Sequence, residues 1–278
     1  MELSFEGGHE LTHTRRGRVH AALTSVKERM MVRTHEKAVE AQFGSRAKAY
    51  VDSTVHSQGA DLDALDSIVR NSAPTRALDL GTGGGHVSYL MARRAKRVVA
   101  VDLSNEMIAA VARTASERGL GNIETVAAPA ENLPFEDGSF DFLACRYSAH
   151  HWRDFDGGLR EASRVLKRGS TAVFIDAYSP GPALFDTHLQ AVELLRDTSH
   201  VRDYTMSEWI TALARSGFAP VGYQTWKLRM DFPTWTARMG TSEQNARAIR
   251  TLCRRRLPRR SRRTLRSKTM ALSCSMFS

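Results

Sequence analysis

A chain of 278 residues, 42% apolar and 25% charged, is long enough to bury a sizeable core and has an ordinary globular balance. No apolar run is long enough to cross a bilayer, and the amino-terminal MELSFEGGHE lacks the apolar stretch of a secretory signal, so a cytoplasmic protein is expected. Three cysteines without paired or metal-type spacing argue against a disulfide framework and against structural zinc, and no metal is assigned.

The net charge of +10 is concentrated in residues 253–278, whose eight Arg and one Lys meet no acid. The basicity therefore belongs to the tail, and nucleic acid is not an expected partner.

In chain order, residues 1–30 are polar without sustained periodicity and read as a leader outside the domain. Lys27-Glu28 can be encoded as a ribosome-binding sequence just ahead of Met30 and Met31, so translation is expected to start at one of these. Across residues 31–75, EKAVEAQFGSRAKAYVDS and GADLDALDSIVR repeat apolar residues at intervals of three and four, which predicts helices; NSAPT ends them. Residues 76–180 alternate short apolar strands with helical stretches. RALDL, RVVAVDL, NIETVAA, FDFLACRYS and TAVFIDAYS read as five strands. GHVSYLMARRA, NEMIAAVARTASERG (capped by Ser104, closing at Gly119) and DFDGGLREASRVLKRGS read as helices between them. That pattern predicts an α/β, Rossmann-like, doubly wound and mostly parallel sheet covered on both faces.

Residues 181–252 predict an α+β extension: helices in ALFDTHLQAVELLRDT and MSEWITALARSG, a strand pair around APVGYQTWKLRMDF, and a helix in EQNARAIRTL. The extension is expected to complete the sheet and line a substrate pocket. From Cys253 the periodicity stops. Codons permitted at Met270-Ala271 and Met276-Phe277 give glycine and valine in a shifted frame, within a stretch that can read as turn and strand. The tail is therefore read as a frameshift product that has cost the fold its final strand and left a sheet edge unpaired. The other reading, a basic arm for anionic partners, lacks the aromatic interleaving of a stacking surface.

The chemistry begins at ALDLGTGGGHVSYL. Glycines between a strand and a helix bring backbone N–H groups to a helix start and let a ligand approach closely. Gly81 and Gly83 begin a dinucleotide pattern, but His86 occupies the place of its last glycine, and no G-K-[ST] follows for a P-loop. The segment does fit D-x-G-x-G-x-G through Asp79, Gly81, Gly83 and Gly85. On these residues the chain resembles the class I S-adenosylmethionine-dependent methyltransferases, and PAENLPFEDGSFDFLACRYSAHHW extends the likeness. A cationic sulfonium cofactor suits a loop beside a carboxylate, where a diphosphate would be repelled.

The resemblance spans about residues 36–252 and is nearest to the small-molecule group that contains the quinone-biosynthesis (ubiquinone/menaquinone) enzymes. It implies S-adenosyl-L-methionine as cofactor and a small organic methyl acceptor. It also implies an N-terminal helical lid carrying Tyr50 and His56. Asp79, Gly81, Gly83 and Gly85 would cradle the cofactor, Asp102 would accept its ribose hydroxyls, Ala130 and Glu131 would lie beside the adenine, and Arg146 beside the methionine part. The chain departs from the family's usual L-K-P-G-G turn at Leu166-Lys167-Arg168-Gly169-Ser170, where a looser turn is expected.

His150 and His151, in RYSAHHWRDF at the carboxyl end of the fourth strand, are the candidate catalytic bases by position and intrinsic pKa. One of the two is expected to point away from the site, and packing beside Trp152 is the structural alternative for both. Trp209, Trp226 and Trp235 are candidates to wall a flat acceptor or to pack in the core. A cofactor-binding protein without turnover is the competing functional reading, motivated by the missing strand. A nucleic-acid methyltransferase is disfavoured because no N-P-P-[YF] motif follows the fourth strand. The oligomeric state is left open.

Overall fold

A computed structural model describes residues 35–44, 58–227, 230–254 and, as backbone, 268–276. The elements are α1 (35–44), α2 (Ala60–Ser72), β1 (Arg76–Leu80), α3 (His86–Ala92), β2 (Arg97–Asp102), α4 (Asn105–Glu117), β3 (Ile123–Ala127) and β4 (Phe140–Arg146). A single 3-10 turn, Ala149–His151, precedes α5 (Phe155–Val165), β5 (Leu166–Ala177), α6 (Ala183–Arg196) and α7 (Met206–Arg215). The chain then continues through β6 (Phe218–Lys227), α8 (Phe232–Arg238), α9 (Glu243–Arg254) and β7 (Lys268–Met276). Helix starts follow local chemistry: Ser104 accepts from the Met107 N–H, Asp154 from the Gly157 N–H, and Thr205 with Glu208 forms a capping box. Tyr50 and His56 lie outside the described residues.

The seven strands form one sheet in the order β3-β2-β1-β4-β5-β7-β6, parallel from β3 to β5, with β7 antiparallel to both its neighbours. The central strands are apolar on both sides because both sides are covered. Leu78, Leu143 and Phe174 pack toward Trp152, Leu159 and Trp209 on one face. Ala77, Phe142 and Val173 pack toward Leu65, Val69 and Met91 on the other. The doubly wound α/β architecture expected from the alternating strands and helices is thus the observed one. Among the described residues no helix is long and apolar enough to cross a membrane.

Two expectations are corrected. The strand pair anticipated around residues 219–232 is a single strand, β6, whose partner comes from the far end of the chain. The final strand is present: Thr171–Ala177 of β5 pair with β7 from Ser275 back to Thr269, and β6 pairs with the opposite edge of β7. The physical reason lies in the sequence as written. After Lys268 the run TMALSCSM carries no charge and no proline, so every residue can join a ladder buried between two strands. The departed turn before β5 becomes an irregularity of the strand itself, pairing with β4 jumping from Phe140–Leu166 to Phe142–Thr171, with Gly169 at φ 74°.

Strand order reverses between β1 and β4. In open α/β sheets the crevice at the carboxyl ends of such a pair is where ligands gather, because the two following loops diverge there.

Candidate functional site

The loop after β1 is built around one buried carboxylate. Asp79 is only 1% exposed; its Oδ2 accepts from Thr82 Oγ1 at 2.7 Å and Ser88 Oγ at 2.6 Å. Its Oδ1 has no hydrogen-bond partner among the described residues. Burial raises the Asp79 pKa to about 6, against the pull of the two hydroxyls. Gly81 adopts a φ of 75°, and a Cβ there would overlap the side chain of Ser148. Gly83, at φ 49°, has nothing within 4 Å of where a Cβ would stand, so its open side belongs to the cavity. Asp102, at the end of β2, ties this loop down: Oδ2 accepts from the Gly83 N–H at 2.8 Å and Oδ1 from the Ser104 N–H at 3.0 Å. Burial pushes the Asp102 carboxyl up as well.

A cavity of about 470 Å³ opens from this loop across the ends of β1, β2 and β4. Of the residues singled out in the sequence, Asp79, Gly81, Gly83, Asp102, Ala130, Glu131, Arg146, His150 and His151 line it. Gly85 does not; it caps α3 at φ 82°, and a Cβ there would meet the Tyr89 ring. The turn behind Ala130 and Glu131 is held by Arg164, which donates to the Phe135 and Leu133 carbonyls and to Glu161, while Glu161 accepts from the Leu133 N–H. Arg146 donates from Nε to Asp61 Oδ2 at 2.7 Å, both side chains nearly buried, and lies over the ring of Tyr147. Tyr147 has φ 53°, an unfavourable conformation for an aromatic residue, at the point where β4 turns into the cavity wall.

Beyond Arg146 the cavity becomes rich in titratable groups. His150 Nδ1 is 2.6 Å from Asp176 Oδ1, and the His150 backbone N–H donates to Asp176 Oδ2 at 3.2 Å. Burial opposes a charge on His150, but Asp176 outweighs it, with help from Asp203 and Glu193, and lifts the pKa to about 9. His151 is pushed the other way, by burial and by the neighbouring His150. Its Nδ1 faces the Ser199 carbonyl at 3.2 Å, and its ring meets Phe43 edge-on at 5.0 Å. The two rings stand 4.1 Å apart and both contribute to the wall, so neither points away as expected. Trp226 and Trp235 also line the cavity, whereas Trp209 is core. Helix α1 contributes His35, Val39 and Phe43 to the cavity wall; His35 Nε2 is 2.9 Å from the His151 carbonyl, and Gln42 donates to the Met239 carbonyl.

Residues 78–174 match the family model described as a methyltransferase domain. The chain is 34% identical over 210 residues to the uncharacterized methyltransferase YcgJ of Bacillus subtilis, covering 76% of this chain and 83% of that protein. The chain belongs to the class I S-adenosylmethionine-dependent methyltransferases. The crystal structure of YcgJ superposes with a TM-score of 0.74 over 78% of this chain and 98% of that one. A further relative is the uncharacterized protein YafE of Escherichia coli, 44% identical over 170 residues, 61% of this chain and 82% of that protein. The demethylmenaquinone methyltransferase of Thermus thermophilus is 35% identical over 133 residues, 46% of this chain and 60% of that protein.

Within this methyltransferase, several acidic residues at the site escaped the sequence reading, among them Asp61, Asp197 and Asp203, which line the cavity, and Asp176, which stands behind it against His150. Asp176 carried a usable signal, since it ends an apolar strand as Asp79 and Asp102 do. Asp61, Asp197 and Asp203 carried none; each reaches the cavity through the path of a helix end or loop.

Proposed function

We propose that the glycine-loop end of the cavity holds S-adenosylmethionine and that the histidine end holds the small organic acceptor this methyltransferase modifies. The observation that carries this reading is the glycine loop itself, where Asp79, a buried carboxylate whose Oδ1 has no partner among the described residues, and Gly83, with no atom near where a Cβ would stand, line the same cavity. A carboxylate kept dry and half-satisfied awaits a cationic or hydrogen-bond-donating ligand, and a diphosphate would be repelled there. In this reading Asp102 accepts the ribose hydroxyls, Ala130 and Glu131 flank the adenine, and Arg146 borders the methionine part. Helix α1 would act as the lid.

Bound there, the cofactor supplies a methyl carbon already activated by its sulfonium. The chain supplies alignment, exclusion of water and a place for the acceptor's proton. His150 is the group for that last task. With Nδ1–H donated to Asp176, Nε2 is left to take a proton, and the Asp176 carboxylate stabilises the imidazolium that results, as in other His–Asp pairs. His151, kept neutral, serves as wall. A cytoplasmic setting fits the free thiols of Cys145 and Cys253. The likeness to the demethylmenaquinone enzyme covers less than half of this chain, and so supports the cofactor half of the reading more than any particular acceptor. The reading without turnover loses its motive, since the strand it presumed missing is in place.

Calorimetric titration tests the cofactor assignment: S-adenosylmethionine and S-adenosylhomocysteine are expected to bind and NAD is not. Methyl label from the cofactor should then appear in the low-molecular-weight fraction of a metabolite extract. Binding of NAD, or indifference to both sulfur compounds, would overturn the assignment.

A further inference from the structure

Helix α6 has an outer face unlike that of the helix beside it. From Leu184 onward its exposed positions are Leu184, Thr187, Ala191 and Leu194, spaced by three, four and three residues, and none is charged. Leu184 is 64% exposed and Leu194 is 55% exposed. The charged residues of the helix are turned inward: Asp186 is held by Ser179, Gln190 and Arg202, and Glu193 pairs with Arg196 at 2.8 Å. Burial moves even the flanking His188 toward its neutral form.

Helix α9 packs alongside, with Asn245 donating to the Leu195 carbonyl. Its outer face carries Glu243, Arg247, Arg250 and Arg254, the polar surface a solvated helix ordinarily shows. Nothing among the described residues covers the corresponding face of α6. A spacing of three and four is the rhythm by which one helix packs on another, so the stripe suits a helix.

The order of the side chains says which helix. Large, small, small, large reads the same from either end: Leu184 with Leu194, and Thr187 with Ala191, share one midpoint at Leu189. A two-fold axis through that point makes the stripe complementary to itself in an antiparallel pair. Leu184 of each copy then meets Leu194 of the other, and the two small side chains between them let the helix axes approach. A nucleic acid or an anionic membrane surface would need cations on this face, and it has none. Two copies of a chain with a net charge of +10 repel each other, and a neutral seam is where that repulsion costs least.

We infer that the outer face of α6 is the contact between two copies of this chain, an antiparallel α6–α6 pair about a two-fold axis. At about 1.5 Å per residue the 14-residue helix is roughly 21 Å long, and its seam alone falls short of the ~800 Å² per partner of a standard interface. The dimer is therefore expected to be weak, with a Kd on the order of micromolar. The same helix places Glu193 and Arg196 in the cavity wall, so the contact backs the site and leaves its mouth open.

Sedimentation velocity of the full chain between about 1 and 100 µM should show a monomer–dimer equilibrium. Leu184→Lys and Leu194→Lys should each weaken it at least about tenfold, with the melting temperature kept within about 2 °C because both side chains are already exposed in the single chain. In a Cys253→Ser background, Thr187→Cys mixed with Ala191→Cys should give at least about fivefold more disulfide-linked dimer under mild oxidation than either variant alone. A chain that is monomeric across this range, a dimer that survives both lysine variants, or cross-linking equal in mixed and unmixed samples would overturn the inference. So would a monomer that floats with phosphatidylcholine vesicles and loses them in the lysine variants, which would make the face a membrane contact.

Discussion

Burial makes an ionised Asp79 costly in the ligand-free protein, and the proposed cofactor site would give that cost a use. Its pKa is raised from 3.8 to about 6 by burial, so its contribution to stability is fully present below about pH 3.8 and lost as pH rises through about 6. Asp79→Asn should keep one oxygen for Thr82 and Ser88 and place an amide where Oδ1 now lacks a partner. The ligand-free variant is therefore expected to be more stable at pH 8, by about 1–3 kcal/mol, yet to lose S-adenosylmethionine affinity about tenfold or more. Thermal melts paired with calorimetry check both halves; a variant with unchanged affinity would remove Asp79 from the site. The sequence disclosed this residue because a lone acid in an apolar strand, two places before a glycine, has few structural uses. It could not disclose Asp197 or Asp203, which reach the cavity only through the fold of a polar loop around Gln190.

At the scale of elements, the proposed base is made by the pairing of two parallel strands. Arg146 at the end of β4 lies level with Ile175 of β5, and the residues that follow each strand converge, setting His150 against Asp176. The pair contributes stability that is fully present below about pH 6.5 and lost as pH rises through about 9. Turnover limited by neutral His150 should accordingly climb with pH toward about 9. Asp176→Asn removes the charge that overcomes burial, so the inflection should move down to or below the ordinary histidine range, while the rate above it falls roughly 10²- to 10⁴-fold. A pH–rate profile for both proteins decides the matter; an unmoved inflection would take Asp176 out of this role. The strands themselves were plain in the sequence, since each is a short apolar run bounded by polar turns. Their register was not, because pairing between strands is a tertiary choice that local pattern leaves open, so Asp176, though visible at the end of an apolar strand, could not be set against His150. The same blindness split β6 into two strands: its partner lies beyond the arginine-rich stretch, where periodicity gives no hint of pairing.

For the whole molecule, the decisive connection is β7. Among the described strands β6 pairs only with β7, and β7 alone links it to β5, so β7 joins β6 to the parallel part of the sheet. Removing it would expose the edge of β5 and strip β6 of its one partner, the arrangement most prone to edge-to-edge association. The tail also carries the arginine run, and charge alone could influence solubility. Two variants separate these effects. Deleting residues 268–278 keeps the arginines and removes the strand; replacing the arginines at 255, 256, 259, 260, 262, 263 and 266 with Gln keeps the strand and removes the charge. If pairing is what matters, the deletion should aggregate or melt at least about 10 °C lower, with β6 exchanging its amide hydrogens freely, while the Gln variant stays monodisperse and binds S-adenosylhomocysteine normally. Size-exclusion chromatography, thermal melts and hydrogen exchange read the outcome. A deletion variant as stable as the full chain would mean that the sheet closes without β7 and that the tail is dispensable to the fold.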